Sequence, residues 1–380
     1  MSLAPTAEPL RERAAPPPAG MARASSGRLG LAATLPLIAG ERCVHARIET
    51  ASCRACAEAC PRGAWIIDSE RVGIDIDTCD GCDLCVPACP EGAISSARGH
   101  AADLVIWNGR PTVFRACENA GATGESGIIP CLHAIGAMEL LRLYRRGATS
   151  WIACAAPCDT CPRGGTQRLE ESVRQANALL ASRGLRPLAL TVLEPDRWSA
   201  TRRQAKPRAA EAALTRRRFF RGAWRAAVNA VLDTAAGTAD ADASGTEFIP
   251  ATAWLPRAGP DDVCLHRPAI DPERCNGCDA CAWLCPHQAI ALERSADGLR
   301  YRLDGRQCTG CGLCRDVCDQ DAIAIDSMRT QRQTTVPLAE SRCPVCGVAH
   351  HAPEPALSAD GRCRICARTP HARLLHQVLG

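Results

Sequence analysis

Twenty-six of the 380 residues are cysteines, and most of them fall in runs. The fullest pair of runs reads Cys275, Cys278, Cys281, Cys285-Pro286 and then Cys308, Cys311, Cys314, Cys318. The C-x2-C-x2-C-x3-C spacing keeps three thiols on one tight loop and a fourth a short turn later, the arrangement by which thiolates hold a cubane of iron and sulfide. An earlier pair reads Cys53, Cys56, Cys60-Pro61 and then Cys79, Cys82, Cys85, Cys89-Pro90. Its first run lacks the cysteine expected three places before Cys53, where Thr50 stands. Cys43, in Cys43-Val44-His45, is the natural replacement, and the same prelude recurs as Cys264-Leu265-His266. The recurrence reads as an internal duplication. Two clusters are expected in the early pair, with a single cluster beside a damaged partner as the alternative.

Such loops need short hairpins and small helices to carry them. Apolar segments follow each run at 63–67, 92–94, 288–292 and 321–325, and each is a short strand candidate. Over 41–97 and 262–327 the chain resembles bacterial polyferredoxins built from two-cluster ferredoxin domains. That resemblance implies an α+β ferredoxin-like fold for each module and crossed ligation, in which the fourth cysteine of each run serves the other cluster. One 4Fe-4S cluster is then held by Cys275, Cys278, Cys281 and Cys318, and a second by Cys285, Cys308, Cys311 and Cys314. In the early module the sets are Cys60, Cys79, Cys82 and Cys85, and Cys43, Cys53, Cys56 and Cys89. Pro61, Pro90 and Pro286 match the family pattern. Asp319 replaces proline after Cys318, a departure expected to alter the local turn or potential without removing a thiolate.

Residues 101–195 have a different pattern. Strand candidates at 104–107, 112–114, 150–153 and 188–193 alternate with helical stretches near 137–146 and 167–182, which predicts a small α/β parallel-sheet domain inserted between the modules. Cys117, Cys131, Cys154, Cys158 and Cys161 follow strand candidates, and open sheets place their sites at the carboxyl ends of strands. Ile128-Ile129-Pro130-Cys131, Met138-Glu139-Leu140-Leu141-Arg142-Leu143, Arg146-Gly147-Ala148 and Trp151-Ile152-Ala153-Cys154 resemble the delta iron-sulfur subunit of methyl-viologen-reducing hydrogenases. The resemblance implies a 2Fe-2S cluster on Cys117, Cys131, Cys154 and Cys158, the last after a one-residue deletion, with Cys161 as substitute. Two other readings stay open: a scaffold with structural cysteines, and a redox dithiol of Cys158 and Cys161. Pro162-Arg163-Gly164-Gly165 lacks the glycine fingerprint of a nucleotide site.

Cys343-Pro344-Val345-Cys346-Gly347 and Cys363-Arg364-Ile365-Cys366 form two C-x2-C knuckles, which predict a zinc-ribbon-like element with zinc on Cys343, Cys346, Cys363 and Cys366. Mononuclear iron and an empty site are the alternatives. His350, His351, His371 and His376 lie nearby and are expected to be solvated.

Aromatic residues make up only 3% of the chain, so metal ligation is expected to replace much of the apolar core. The cysteine periodicity and the lack of an evident secretory segment argue against a disulfide-rich secreted protein and for the cytoplasm. The formal charge of +4 counts every thiol as neutral. Four oxidised cubanes, a zinc site and a binuclear site would bring the holoprotein to about −8, which removes the electrostatic case for nucleic acid. Residues 1–40 read as a flexible arm, and its apolar stretch is too short to span a bilayer. Thr215-Arg216-Arg217-Arg218-Phe219-Phe220 looks like a twin-arginine signal in the wrong place; it also resembles the basic leader of small accessory ferredoxins of periplasmic nitrate reductase systems. It reads as a surface helix or interface within a linker at 196–260, ahead of a second module at 261–330 and a tail at 331–380. No nucleophile-base pair stands out; His45 and His266 are expected to support cluster cysteines. The expected function is an electron-transfer subunit of a larger oxidoreductase, with the α/β domain between the two modules. Its partner would be a hydrogenase, formate dehydrogenase or heterodisulfide-reductase-like enzyme. The alternatives are an iron-sulfur scaffold, maturation or regulatory protein, and an enzyme in its own right.

Overall fold

The computed structural model describes residues 35–68, 72–98, 104–124, 126–163, 168–207, 248–256, 259, 261–357 and 360–369. The basic hexapeptide at 215–220, the acidic stretch at 237–245, His371, His376 and most of the 1–40 arm lie outside them.

The first module is small and stitched by short ladders. β1 (Leu37–Ile38) pairs antiparallel with β4 (Ile94–Ser95), and β2 (Trp65–Ile67) with β3 (Val72–Ile74). Two one-turn helices, α1 (Ala55–Ala59) and α2 (Cys85–Ala88), carry cysteines into a core of Trp65, Cys85 and Ile94.

The α/β unit is built on β5 (Leu104–Trp107), β6 (Arg110–Cys117), β7 (Ile128–Ile129), β8 (Ser150–Cys154) and β9 (Ala189–Val192). The sheet is mixed rather than parallel: β6 runs parallel to β7 and β8, and β8 to β9, but β5 turns back on β6. The reversal is local, because Asn108 and Gly109 both take positive φ and close a hairpin between Trp107 and Arg110. α3 (Ala137–Arg145) and α4 (Arg168–Ala181) cover one face through Leu140, Leu141 and Leu143 and through Leu169, Val173, Ala176, Leu179 and Leu180. The i, i+4, i+7 spacing of the second set is what turns one stripe of α4 inward.

The unit continues past residue 195 into the expected linker. α5 (Pro195–Gln204) covers the other face of the sheet with the fully buried Trp198, whose indole N–H donates to the Ile152 carbonyl at 3.1 Å. β10 (Lys206–Pro207) then pairs with β5.

In the second module β11 (Val263–Ile270) and β14 (Ile323–Thr330) form one long antiparallel ladder, and α6 (Ala280–Leu284) and α7 (Leu313–Asp316) carry cysteines. β12 (Ile290–Ser295) and β13 (Gly298–Leu303) form a hairpin. The tail is not separate from this module. β15 (Thr335–Arg342) pairs with β13 and then with β16 (Ala349–Ala352), so the sheet runs β12-β13-β15-β16. Alternation seals it: Leu299, Tyr301 and Leu303 on β13 and Val336 and Leu338 on β15 all face the core. α8 (Arg364–Arg368) closes the described chain. Among the described residues no helix is long and apolar enough to cross a membrane.

Candidate iron-sulfur and metal sites

The four cysteine runs end on a shared turn that the sequence reading missed. The last cysteine of each run accepts, on its sulfur, the amide N–H of an alanine four residues on: Ala64 to Cys60 at 3.4 Å, Ala93 to Cys89 at 3.3 Å, Ala289 to Cys285 at 3.1 Å and Ala322 to Cys318 at 3.3 Å. The residue before each alanine is left-handed, Gly63 and Gly92 in the first module and Gln288 and Asp321 in the second. The readable signal was Cys-x3-Ala, four times over. It also answers the part of the Asp319 expectation that concerned the turn. The turn after Cys318 keeps the common geometry without proline, and Asp319 pairs instead with Arg368 at 2.7 Å.

Three runs also begin alike. Asp75, Asp271 and Asp304 stand four residues before Cys79, Cys275 and Cys308, and each accepts the backbone N–H two residues on, from Asp77, Glu273 and Arg306. These Asx turns start the cluster loops. The exception is the run that lacks its first cysteine, and there the chain supplies a thiol from upstream. Cys43 sits between two short 3-10 turns anchored by the buried Val44, and His45 Nε2 lies 2.8 Å from the Cys53 carbonyl.

Cys43, Cys53, Cys56 and Cys89 line one cavity of about 30 Å³. Cys285, Cys308, Cys311 and Cys314 line a second of about 20 Å³. Of the other two sets, Cys79 neighbours Cys60 and Cys85, and Cys281 neighbours Cys275, Cys278 and Cys318 as well as Cys314. Each of the two cavities draws one of its four thiols from the other run. Cys264 belongs to none of them; it is buried in β11 against Gly305 and beside Arg183.

Burial first, and then the neighbouring thiols Cys53, Cys89 and Cys43, push the Cys56 thiol up to about 12. Burial likewise raises Cys82, Cys85, Cys308 and Cys311 to about 12. Four such sulfurs become thiolates together only around a cationic core, which is what a cubane supplies. The donor set, the convergence and the apolar walls fit that group.

Residues 51–94 and 274–323 each match the family model of the 4Fe-4S dicluster domain. The chain carries this domain twice. Cys43 falls outside the first match, and the fold brings it to the cavity of Cys53, Cys56 and Cys89, as the sequence led one to expect. No curated protein matches the chain.

In the α/β unit, Cys117 ends β6, Cys131 follows β7, and Cys154 ends β8, with Cys158 and Cys161 on the next turn. The parallel strands thus bring their cysteines to one edge. Burial, with Cys117 and Cys158 nearby, pushes Cys131 up to about 11. Cys154 is set apart. It neighbours Cys117, yet its side chain is fully buried with Phe114, Ala116, Ile152 and Trp198 on the α5 face, while Cys117 packs on the α3 and α4 face. Strand parity explains this, since Cys154 pairs in register with Ala116 and not with Cys117. Cys161 lies near Cys158, and its sulfur is 3.9 Å from the Asn119 amide.

Two residues here escaped the sequence reading. The Leu169 N–H donates to His133 Nδ1 at 3.2 Å, which leaves the ring proton on Nε2, 3.3 Å from the Cys158 sulfur. Arg163 is almost fully buried between this edge and the first module. It donates to the Pro130 carbonyl at 2.7 Å and to the Asp80 carboxylate at 2.9 Å, and it pairs with Glu118 at 2.7 Å. Beneath that clamp Cys82 and Leu84 of the first module pack on Cys131.

At the carboxyl end Cys343, Cys346, Cys363 and Cys366 bring their sulfurs within 4.8 Å of one another. The Cys346 and Cys363 sulfurs are 3.8 Å apart. A regular tetrahedron with metal-sulfur bonds of ~2.3 Å has edges of about 3.8 Å, so the spacing fits a single ion. Backbone N–H groups of Cys363, Cys346 and Val345 bring Cys343 down to about 6, and that of Cys366 lowers Cys363. The site sits on the second module: the His351 ring is 2.9 Å from the Asp279 carboxylate, which also accepts the Tyr301 hydroxyl at 2.7 Å. The His351 carbonyl fills a niche over Gly277 so closely that a Cβ there would lie 1.9 Å from it.

Proposed function

We propose that the protein is an electron-transfer subunit of a larger oxidoreductase. The observation that supports this reading is a pair of discrete cavities, one in each module, each lined by four thiols drawn from both runs of that module. On this reading Cys43, Cys53, Cys56 and Cys89 hold one 4Fe-4S cluster and Cys60, Cys79, Cys82 and Cys85 the next. Cys285, Cys308, Cys311 and Cys314, and Cys275, Cys278, Cys281 and Cys318, hold the other pair. Bound clusters of this kind take up and release single electrons. The protein's part is to supply thiolates, exclude water, and aim amide N–H groups such as those of Ala64, Ala93, Ala289 and Ala322 at sulfur, where they stabilise the more negative, reduced state.

Zinc is proposed at Cys343, Cys346, Cys363 and Cys366, on the support of the tetrahedral spacing. At the edge of the α/β sheet a 2Fe-2S cluster is proposed on Cys117, Cys131 and Cys158. The fourth ligand is Cys154, as the hydrogenase resemblance implies, or Cys161. The partner is a redox enzyme of the hydrogenase, formate dehydrogenase or heterodisulfide-reductase-like class.

Anaerobic loading of the full chain with iron, sulfide and zinc tests the reading. Four cubanes require about sixteen iron atoms per chain, and the binuclear site about two more. Iron uptake of half that amount, or clusters that low-potential donors fail to reduce, would overturn it.

A further inference from the structure

The two dicluster modules meet at a buried carboxylate. Glu91 lies two residues after Cys89 and is only 3% exposed. Its Oε1 accepts the Thr309 hydroxyl at 2.6 Å, and its Oε2 lies 3.0 Å from His287 Nε2. Thr309 stands between Cys308 and Cys311, and His287 two residues after Cys285. Glu91 lines the cavity of Cys43, Cys53, Cys56 and Cys89, while Thr309 and His287 line the cavity of Cys285, Cys308, Cys311 and Cys314. A single glutamate side chain therefore reaches from the wall of one four-thiol cavity to the wall of the other.

A second tie runs beside it. The backbone N–H and hydroxyl of Ser52, next to Cys53, each donate to the Asp316 carboxylate at 2.8 Å, and Asp316 lies between Cys314 and Cys318. Phe248 packs over the Glu91 tie, its ring edge-on to His287 and so close to Gly92 that a Cβ there would come within 2.5 Å. Burying a carboxylate is costly unless its oxygens are bonded, and both oxygens of Glu91 are matched by groups of the other module. Neither of these bonds comes from Glu91's own module.

We propose that this seam is the electron joint between the modules and that Glu91 is its positioning residue. The inference rests on the four-cluster reading above. At the joint one electron leaves the Cys43, Cys53, Cys56 and Cys89 site and enters the Cys285, Cys308, Cys311 and Cys314 site, or the reverse; no bond is made and no proton moves. Crossed ligation then fixes an order. The Cys60, Cys79, Cys82 and Cys85 site faces the α/β unit through Cys82 and Cys131, and the Cys275, Cys278, Cys281 and Cys318 site faces the tail through Asp279 and His351. On this proposal the α/β unit stands at one end of the electron series, although it also packs on the second module through Leu265 of β11 and the Arg183 hydrogen bond to the Val263 carbonyl.

The test uses the full chain loaded anaerobically with iron and sulfide, compared with Glu91→Ala and Thr309→Val. Iron is counted first, and a parent protein short of four clusters would refute the four-cluster reading itself. Each protein is then mixed with less than one equivalent of dithionite and freeze-quenched for electron paramagnetic resonance. With iron retained, both variants are expected to lose magnetic coupling across the seam and to redistribute electrons between modules about tenfold more slowly or worse. Should Glu91→Ala shed its clusters, Glu91→Gln, which keeps an oxygen for Thr309, enters the same comparison. Full iron with unchanged coupling and unchanged redistribution in the variants would overturn the joint.

Discussion

On the proposed ligation, the first module's second cluster depends on Cys43. It comes from a turn anchored by Val44, ten residues ahead of Cys53, and reaches the cavity where Thr50 leaves the run one thiol short. Cys43→Ser is expected to remove about four iron atoms per chain and to leave the other three cubanes intact by resonance spectra. Asp319 makes the opposite case. Since Ala322 already holds the Cys318 sulfur and Asp321 already takes the left-handed conformation, Asp319→Pro removes only an exposed pair with Arg368. Its effect on thermal stability should be below about 1 kcal/mol, with unchanged spectra. A lost cluster in that variant would show that the turn needs the aspartate.

At the scale of elements, the cysteine spacing was legible because each loop is local: three thiols and a turn fall within a dozen residues. The strands of the α/β unit were legible for the same reason, as short apolar runs between breakers. Their directions were legible only in part. The return of β5 on β6 is signalled by Asn108-Gly109, a local hairpin pair that the sequence reading passed over, whereas the facing of Cys154 depends on its register with Ala116 across two strands, which no local pattern encodes. Nor did composition mark residues 195–207 as part of the fold. Their basic character hid Trp198, which is fully buried against Phe114 at a ring separation of 5.9 Å. Trp198→Ala should cost about 3–5 kcal/mol in urea unfolding of the holoprotein. A loss under 1 kcal/mol would mean that α5 is an ornament on the sheet.

Across the whole molecule, the residues that escaped the sequence reading are those that join one site to the next. Arg163, Glu91 and Asp316 each sit within two residues of a cysteine of one site and bond to a partner beside a cysteine of another, and Asp279, next to Cys278, bonds His351 on β16, with separations in sequence from 72 to 264 residues. Nothing in local spacing predicts such pairs. Arg163 offers the clearest test, because it bonds Asp80 in the first module and Pro130 and Glu118 in the α/β unit at once. Arg163→Met should weaken the contact by about 2–3 kcal/mol. Hydrogen exchange would report it as faster opening at residues 80–84 and 128–133, with iron content retained. Protection equal to the parent's would place the holding force in Cys82, Leu84 and Cys131 alone.

The weaving of the tail into the second module also sets the timing of its synthesis. β15 completes the sheet of Tyr301, and the His351 backbone seats over Gly277, so the loop of Cys275, Cys278 and Cys281 lacks its neighbours until the chain has been made to residue 352. The first module has all eight of its cysteines in hand by residue 89. A growing chain on the ribosome thus offers its two dicluster modules to the iron supply one after the other, the early one once residue 89 is made and the late one only after residue 352 has been added.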